Sequence, residues 1–317
     1  MNNQTIRKNI RRSAIVLVGL SLALIGATMN TKAQQAVVTP ENLRQSVTEG
    51  FIDSGGVKIH YATLGKGPLV ILIHGHPDFW YGWRNQMPAL AQHHQVVAID
   101  QRGINQSDQP EGTENYKIQK LVGDVAAVIR FFKQDKATII GHDTGAAVAW
   151  AFATALPQMT TGVVSLNLPH PSALAKARAT DPAQQTASRT SYGLAQPGSA
   201  AAITRQQLLG IVNPQTPQET AAYTEAFTRT KLEAFVAYFQ ANLGAPSQTA
   251  VTLPKVAVPA LVIHGMKDPY ILSSSHDRNW EYIANTLTTV MLPDAGHFVQ
   301  IDAASEVNRV LLQWLER

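Results

Sequence analysis

The pentapeptide "GHDTG", residues 141–145, places a carboxylate where a tight strand-to-helix turn would hold it up for reaction. Acyl-transfer enzymes keep serine at such a turn, and serine attacks a carbonyl; a carboxylate is better suited to attack on a saturated carbon and to a covalent ester intermediate. Asp143 is therefore the candidate nucleophile. Gly141 and Gly145 flank it because a Cβ at either place would collide with neighbouring backbone. Asp143 would also satisfy the requirements of a helix N-cap, so the five residues alone do not decide its role.

A nucleophile needs a base and a group that orients the base. "DAGHFVQID" carries His297 after the last expected strand, and "IHGMKDPY" carries Asp268 after the preceding one. Asp143, Asp268 and His297 then follow the chain order nucleophile, acid, histidine. Asp294 is set aside as the orienting acid because it is too close to His297 in sequence. His93, His94 and His276 read as surface histidines, and His60 and His264 as residues in or beside strands. "HGHPDFW", His74 to Trp80, contains a tight turn that can aim the backbone N–H of His76 at the elbow. With the N–H of Thr144 it would form an oxyanion hole.

These residues need a scaffold that brings strand ends together. "LVILIHG" from Leu69, "QVVAID" from Gln95, "ATIIGHD" from Ala137, "VVSLNLP" from Val163, "ALVIHG" from Ala260 and "TTVMLP" from Thr288 read as strands buried on both faces, the mark of a mostly parallel sheet. Helical patterns such as "YKIQKLVGDVAAVIRFF" from Tyr116 and "AAVAWAFATAL" from Ala146 alternate with them, which gives an α/β sheet with helices on both faces. "VTEGFIDSGGVKIHYATLG" from Val47 reads as an antiparallel hairpin turning at Ser54-Gly55-Gly56. Residues 171–253 are rich in Ala, Gln and Thr, with helical stretches such as "QETAAYTEAFTRTKLEAFVAYFQANL" from Gln218, and read as a helical cap. The cap is inserted between core segments 47–170 and 254–317, over the strand ends where open α/β sheets place ligands.

The start of the chain reads differently. Arg7, Lys8, Arg11 and Arg12 precede the apolar run "SAIVLVGLSLALIGA", and "TKA" ends it with small residues, the pattern of a signal peptide over residues 1–33 cleaved after Ala33. The run is shorter than the roughly 20 residues a membrane span needs. The formal net charge is +4; residues 1–33 contribute +5 (Arg7, Lys8, Arg11, Arg12, Lys32), which leaves 4 − 5 = −1 for the mature chain. The basic balance thus belongs to the leader, and neither a nucleic-acid nor a membrane-surface role follows from it. Zero cysteines excludes disulfides, thiolate metal sites and a cysteine nucleophile. The expected setting is periplasmic or secreted.

"HGHPDFWYGWRNQMPAL", "DQRGINQSDQPEGTENY", "IIGHDTGAAVAWAFA", "LNLPHPSAL", "ALVIHGMKDPYIL" and "LPDAGHFVQIDAASEVNRVLLQWL" together resemble α/β-hydrolases of the epoxide hydrolase and haloalkane or haloacetate dehalogenase group, most of all the soluble epoxide hydrolases. The resemblance runs from about Phe51 to the C-terminus. It implies the α/β-hydrolase fold with a helical cap, an alkyl-ester mechanism with no cofactor or metal, and a small, largely apolar substrate consumed with water. By position it assigns Asp143 as nucleophile, Asp268 as acid, His297 as base, and His76 and Thr144 as oxyanion donors; Trp80 is placed in the pocket.

The chain departs from the group's pattern at several positions. Epoxide hydrolases usually carry Trp after the nucleophile, where this chain has Thr144, and Phe at the third position of HGxP, where it has His76. Their two cap tyrosines, which hold the epoxide oxygen, fall at Thr190 and Phe239, with Tyr192 and Tyr238 close by. Either the cap helices shift so that Tyr192 and Tyr238 donate, or the leaving group is a halide that needs no proton. Haloacetate dehalogenases place arginine just after the nucleophile, and Thr144 to Val148 contain none. Epoxide hydrolysis to a diol is the first reading; a dehalogenase and a non-catalytic ligand-binding homologue are the alternatives.

Overall fold

Aliphatic, β-branched runs form the centre of the molecule. The computed structural model describes residues 37–243 and 254–317, so the expected signal peptide and the last part of the expected cap lie outside the described residues. Strand β1 (Thr48–Asp53) and β2 (Lys58–Leu64) form the antiparallel hairpin, closed by a hydrogen bond from the Ser54 N–H to the Val57 carbonyl at 2.8 Å. They are followed by β3 (Leu69–Ile73), β4 (Gln95–Ile99), β5 (Ala137–His142), β6 (Thr160–Leu166), β7 (Ala260–Gly265) and β8 (Leu287–Leu292). The sheet has eight strands in the order β1-β2-β4-β3-β5-β6-β7-β8. β2 is antiparallel to both its neighbours, and β4-β3-β5-β6-β7-β8 pair in parallel.

β3, β5 and β7 are buried along their whole length, as continuous apolar runs in a two-sided sheet must be. β8 is not: it is only half-buried, because among the described residues it lies at the sheet edge and pairs with β7 alone. Since β3 to β8 are parallel, the segments that follow β3, β5, β6 and β7, with the loop after β8, emerge at one edge of the sheet. That edge carries His76, Asp143, Asn167, Asp268 and His297.

Between β6 and β7 the described residues from Pro171 to Asn242 form six α-helices, and no strand is found among them. Polar N-caps set their starts: Asp181 accepts from the Ala183 N–H, Thr216 from Glu219, and Thr204 with Gln207 forms a reciprocal capping box. The helical run expected from Gln218 is in fact two helices, Pro217–Arg229 and Leu232–Asn242. The break falls where the Thr230 hydroxyl turns back to the Ala226 carbonyl and accepts from the Asn105 N–H at 2.9 Å. Four further bonds tie these helices to the core: Tyr223 Oη donates to Asp78 Oδ1 at 3.0 Å, Arg84 Nε to Glu219 Oε1 at 3.0 Å, Asn242 Nδ2 to the Tyr116 carbonyl at 2.9 Å, and Gln184 Nε2 to the Tyr270 carbonyl at 2.9 Å.

His93 is exposed, but His94 and His276, read from sequence as surface residues, are buried. The short turn Ser273–His276 folds His276 against His264 with ring centroids 4.2 Å apart, a contact no local pattern encodes. Burial pushes His264 down to about 4 and His276 to about 3, and His170 likewise to about 4. Their folded pKa values lie below the unfolded value near 6.5, so the stability they contribute is fully present above that pH and is lost as pH falls toward about 4. His60 acts in a different window. Burial opposes its charge, but Asp100 at 2.7 Å and Glu49 at 3.3 Å lift it to about 9, so its contribution is lost as pH rises through that value. The urea midpoint followed by tryptophan fluorescence is therefore expected to fall between pH 7 and pH 4.5; a midpoint constant across that range would contradict neutral burial of these rings.

Candidate active site

Asp143 sits at φ 50°, ψ −118°, between the end of β5 and the helix Thr144–Ala155. Such a backbone costs of order 1–3 kcal/mol for a non-glycine residue and persists only where the surroundings fix it. Here the Asp143 N–H donates to the Leu166 carbonyl at 3.1 Å, and its own carbonyl accepts from Ala146 at 2.9 Å and Ala147 at 3.2 Å. A Cβ on Gly145 would come 2.3 Å from the Ile73 carbonyl oxygen, so the small residue is what allows the helix to start against β3. Gly75 plays a part that the sequence pattern left unassigned: a Cβ there would lie 2.6 Å from the Asp143 Cβ. The Asp143 side chain makes no capping bond to its helix, so the N-cap role does not occupy its carboxylate.

The two carboxylate oxygens face different partners. Oδ1 accepts from the His76 N–H at 3.1 Å, and Oδ2 lies 3.9 Å from His297 Nε2. Thr144 opens the helix, so its N–H is one of those with no intrahelical acceptor. The structure thus brings His76, Thr144 and Asp143 together. His76 Nδ1 also pairs with Thr144 Oγ1 at 2.7 Å. Burial, helped by the neighbouring His74, pushes the His76 pKa down to about 3, so this ring is neutral and shapes the turn without adding charge.

His297 Nδ1 lies 2.8 Å from Asp268 Oδ2, which fixes the ring and presents Nε2 toward Asp143. Burial acts to lower the His297 pKa, but the Asp268 charge and hydrogen bond and the Asp143 charge prevail, and the net shift is upward. Burial likewise acts to raise Asp268, yet the His297 charge and hydrogen bonds from His297 Nδ1, the Tyr270 N–H at 2.8 Å and Asn167 Nδ2 at 2.8 Å hold its carboxyl below the usual range. The Ile271 N–H also donates to it, at 3.1 Å. Asn167 was not singled out from sequence; its left-handed backbone, φ 59°, just past β6 is the local mark of such a residue. Asp294 faces solvent and pairs with Lys267, away from the site.

A cavity of about 880 Å³ opens above these groups, lined by Asp143, His297, His76 and Thr144 together with residues of the helix Thr144–Ala155 and of the helices between β6 and β7. Thr190, Tyr238 and Phe239 line it. Tyr238 stacks on His76, ring centroids 5.2 Å apart, and its hydroxyl donates to the Thr144 carbonyl at 3.3 Å. Tyr192 is not among the lining residues; its ring lies 5.4 Å from the Arg178 guanidinium carbon. Trp80 is also absent from the lining, because it is buried in the core, where its backbone N–H donates to Asp100 Oδ1 at 2.9 Å. Tyr270, unassigned from sequence, contributes a second phenol: it lines the cavity with its ring 4.9 Å from that of His297. Among the described residues, no group of His, Cys, Asp and Glu is arranged to hold a metal ion.

Comparison with known proteins gives the family and the fold. Residues 68–304 match the family model described as alpha/beta hydrolase fold. The chain is 30% identical over 280 residues to the AB hydrolase superfamily protein YfhM of Bacillus subtilis, covering 84% of this chain and 97% of that protein. It is 29% identical to epoxide hydrolase A of Mycobacterium tuberculosis, with 84% and 97% covered. A crystal structure of Bacillus megaterium epoxide hydrolase in complex with an inhibitor superposes with a TM-score of 0.79 at 27% identity, covering 84% of this chain and 100% of that one. The elbow, the sheet that carries it and these likenesses place the chain in the α/β-hydrolase fold family, as an epoxide hydrolase-like hydrolase.

Proposed function

We propose that the protein hydrolyses epoxides to diols through an alkyl ester on Asp143. The observation that carries this reading is the division of labour at the carboxylate: Oδ1 is held by the His76 N–H at 3.1 Å while Oδ2 faces the cavity and His297. Oδ2 attacks a ring carbon, the C–O bond breaks, and the ring oxygen leaves as an alkoxide that needs a proton. His297 Nε2 then takes a proton from water, and the hydroxide adds to the ester carbon. The oxyanion that forms is Oδ1, already against the His76 N–H, and the Thr144 N–H is the second donor assigned to it. Collapse releases the diol with one Asp143 oxygen in it and restores the carboxylate with one oxygen from water.

Tyr238 is the phenol assigned to the leaving oxygen, since it lies in the cavity against Thr144, whereas Thr190 has a far weaker acid and Phe239 none. Burial, and then the Asp143 charge, raises its pKa, which keeps the proton in place before reaction. Ester formation removes the Asp143 charge as the alkoxide develops, so the phenol becomes a better acid when it is needed. Tyr238→Phe is expected to lower kcat for a terminal epoxide ~10²- to 10⁴-fold. The purified enzyme given styrene oxide and 1-chlorobutane should release diol and no chloride. Chloride release with kcat unmoved by Tyr238→Phe would favour the dehalogenase instead. The leader-like residues 1–33 support export, which N-terminal sequencing of the mature chain checks: a start at Gln34 is expected.

A further inference from the structure

Among the described residues that line the cavity, Arg178 is the one lysine or arginine, and Asp143 the one carboxylate. Arg178 stands in the last turn of the helix Pro171–Thr180. Its Nε donates to Ser188 Oγ at 3.1 Å, and Ser188, itself buried, is held by Gln184 Nε2 at 2.9 Å. With the Tyr192 ring beside it, the guanidinium plane is fixed, and its two terminal nitrogens have no hydrogen bond to any described residue. Among the described residues, the arginines that are fully buried are paired: Arg84 with Glu219 at 3.0 Å and Arg102 with Asp124 at 2.6 Å. Arg178 has no carboxylate within ion-pair distance among the described residues. Arg178 is half-buried, so its guanidinium gives up part of its water to a largely apolar cavity with no counter-charge beside it, a cost that a ligand anion would offset.

Resting on the proposed reading of Asp143, we infer that Arg178 is a specificity residue that binds a carboxylate on the substrate, so that the substrate is an amphipathic monoanion. The free edge of a guanidinium matches a carboxylate with two parallel N–H···O bonds. A phosphate dianion fits less well, since its second charge would enter a cavity that already holds Asp143. The rest of the molecule lies against apolar lining such as Trp150, Leu208, Ile211 and Phe235, and about 880 Å³ is far more room than a small epoxide fills. Anchoring the anion at Arg178 also fixes how far it stays from the Asp143 charge, which would otherwise repel it.

The test compares 10,11-epoxyundecanoate with its uncharged amide at pH 8. The wild-type enzyme is expected to prefer the acid in kcat/KM by roughly 10- to 100-fold, the range for hydrogen bonds to a charged group. In Arg178→Met that ratio falls to about one, and Arg178→Lys, which keeps the charge but not the fork, restores part of it. An effect of Arg178 through the field at Asp143 alone would change both substrates together and leave the ratio unmoved, and that result overturns the inference. Calorimetry with decanoate and decanamide separates this site from the chemistry. Tighter binding of decanoate, lost in Arg178→Met, upholds the carboxylate site even if no epoxide is turned over; equal binding of the two by the wild-type protein refutes it.

Discussion

Asp143→Asn is expected to abolish epoxide turnover, with kcat down by at least ~10⁴-fold, while the fold is kept. The amide is nearly isosteric, and asparagine tolerates positive φ better than most residues, so the backbone at φ 50° is maintained. The amide nitrogen is a poor nucleophile, and no other carboxylate lines the cavity among the described residues to take over. A thermal unfolding midpoint close to that of the wild type, beside lost activity, separates a chemical from a structural defect. Residual turnover within 10-fold of wild type would mean that the carboxylate does not form the ester.

His297→Gln should give a different defect. Attack by Asp143 does not need the imidazole, but hydrolysis of the ester does, so the first step survives and the second slows ~10²- to 10⁴-fold. Intact-protein mass spectrometry after mixing with styrene oxide should show near-stoichiometric protein heavier by one substrate mass, and peptide mapping should place the adduct at Asp143. The Asp268 carboxylate loses its ionic partner in this variant, yet Asn167 Nδ2 and the Tyr270 and Ile271 N–H groups still hold it. The cost in stability is therefore expected to stay below the ~3–5 kcal/mol seen when a buried pair is broken outright. An inactive His297→Gln protein that never gains mass would show that the histidine acts before ester formation.

Much of the fold was legible because its signals are local. Apolar runs between turn residues marked the strands, Ser54-Gly55-Gly56 marked the hairpin, and small residues around Asp143 marked the elbow. What sequence left open depends on contacts between distant segments. Trp80 reads as a pocket residue beside the HGxP turn, but the chain turns it into the core, with its backbone N–H on Asp100. Nothing local separates Tyr192 from Tyr238; the placement of their helices does, with Tyr238 lining the cavity and Tyr192 against Arg178. Asn167, Tyr270 and Arg178 have no motif of their own: each matters through one partner on another segment, namely Asp268, His297 and the cavity itself. His94 and His276 read as surface residues yet are buried for the same reason, since a single histidine carries no periodicity from which its burial can be read.

Transfer of isotope from solvent distinguishes an ester on Asp143 from attack by water. A single turnover of epoxide by excess enzyme in ¹⁸O-water should yield diol carrying the unlabelled oxygen of Asp143. Repeated turnover should then place ¹⁸O in the peptide containing Asp143 and in no other carboxylate. Diol labelled in the first turnover, with the Asp143 peptide unlabelled after many, would mean that water attacks the ring directly and that Asp143 is not the nucleophile.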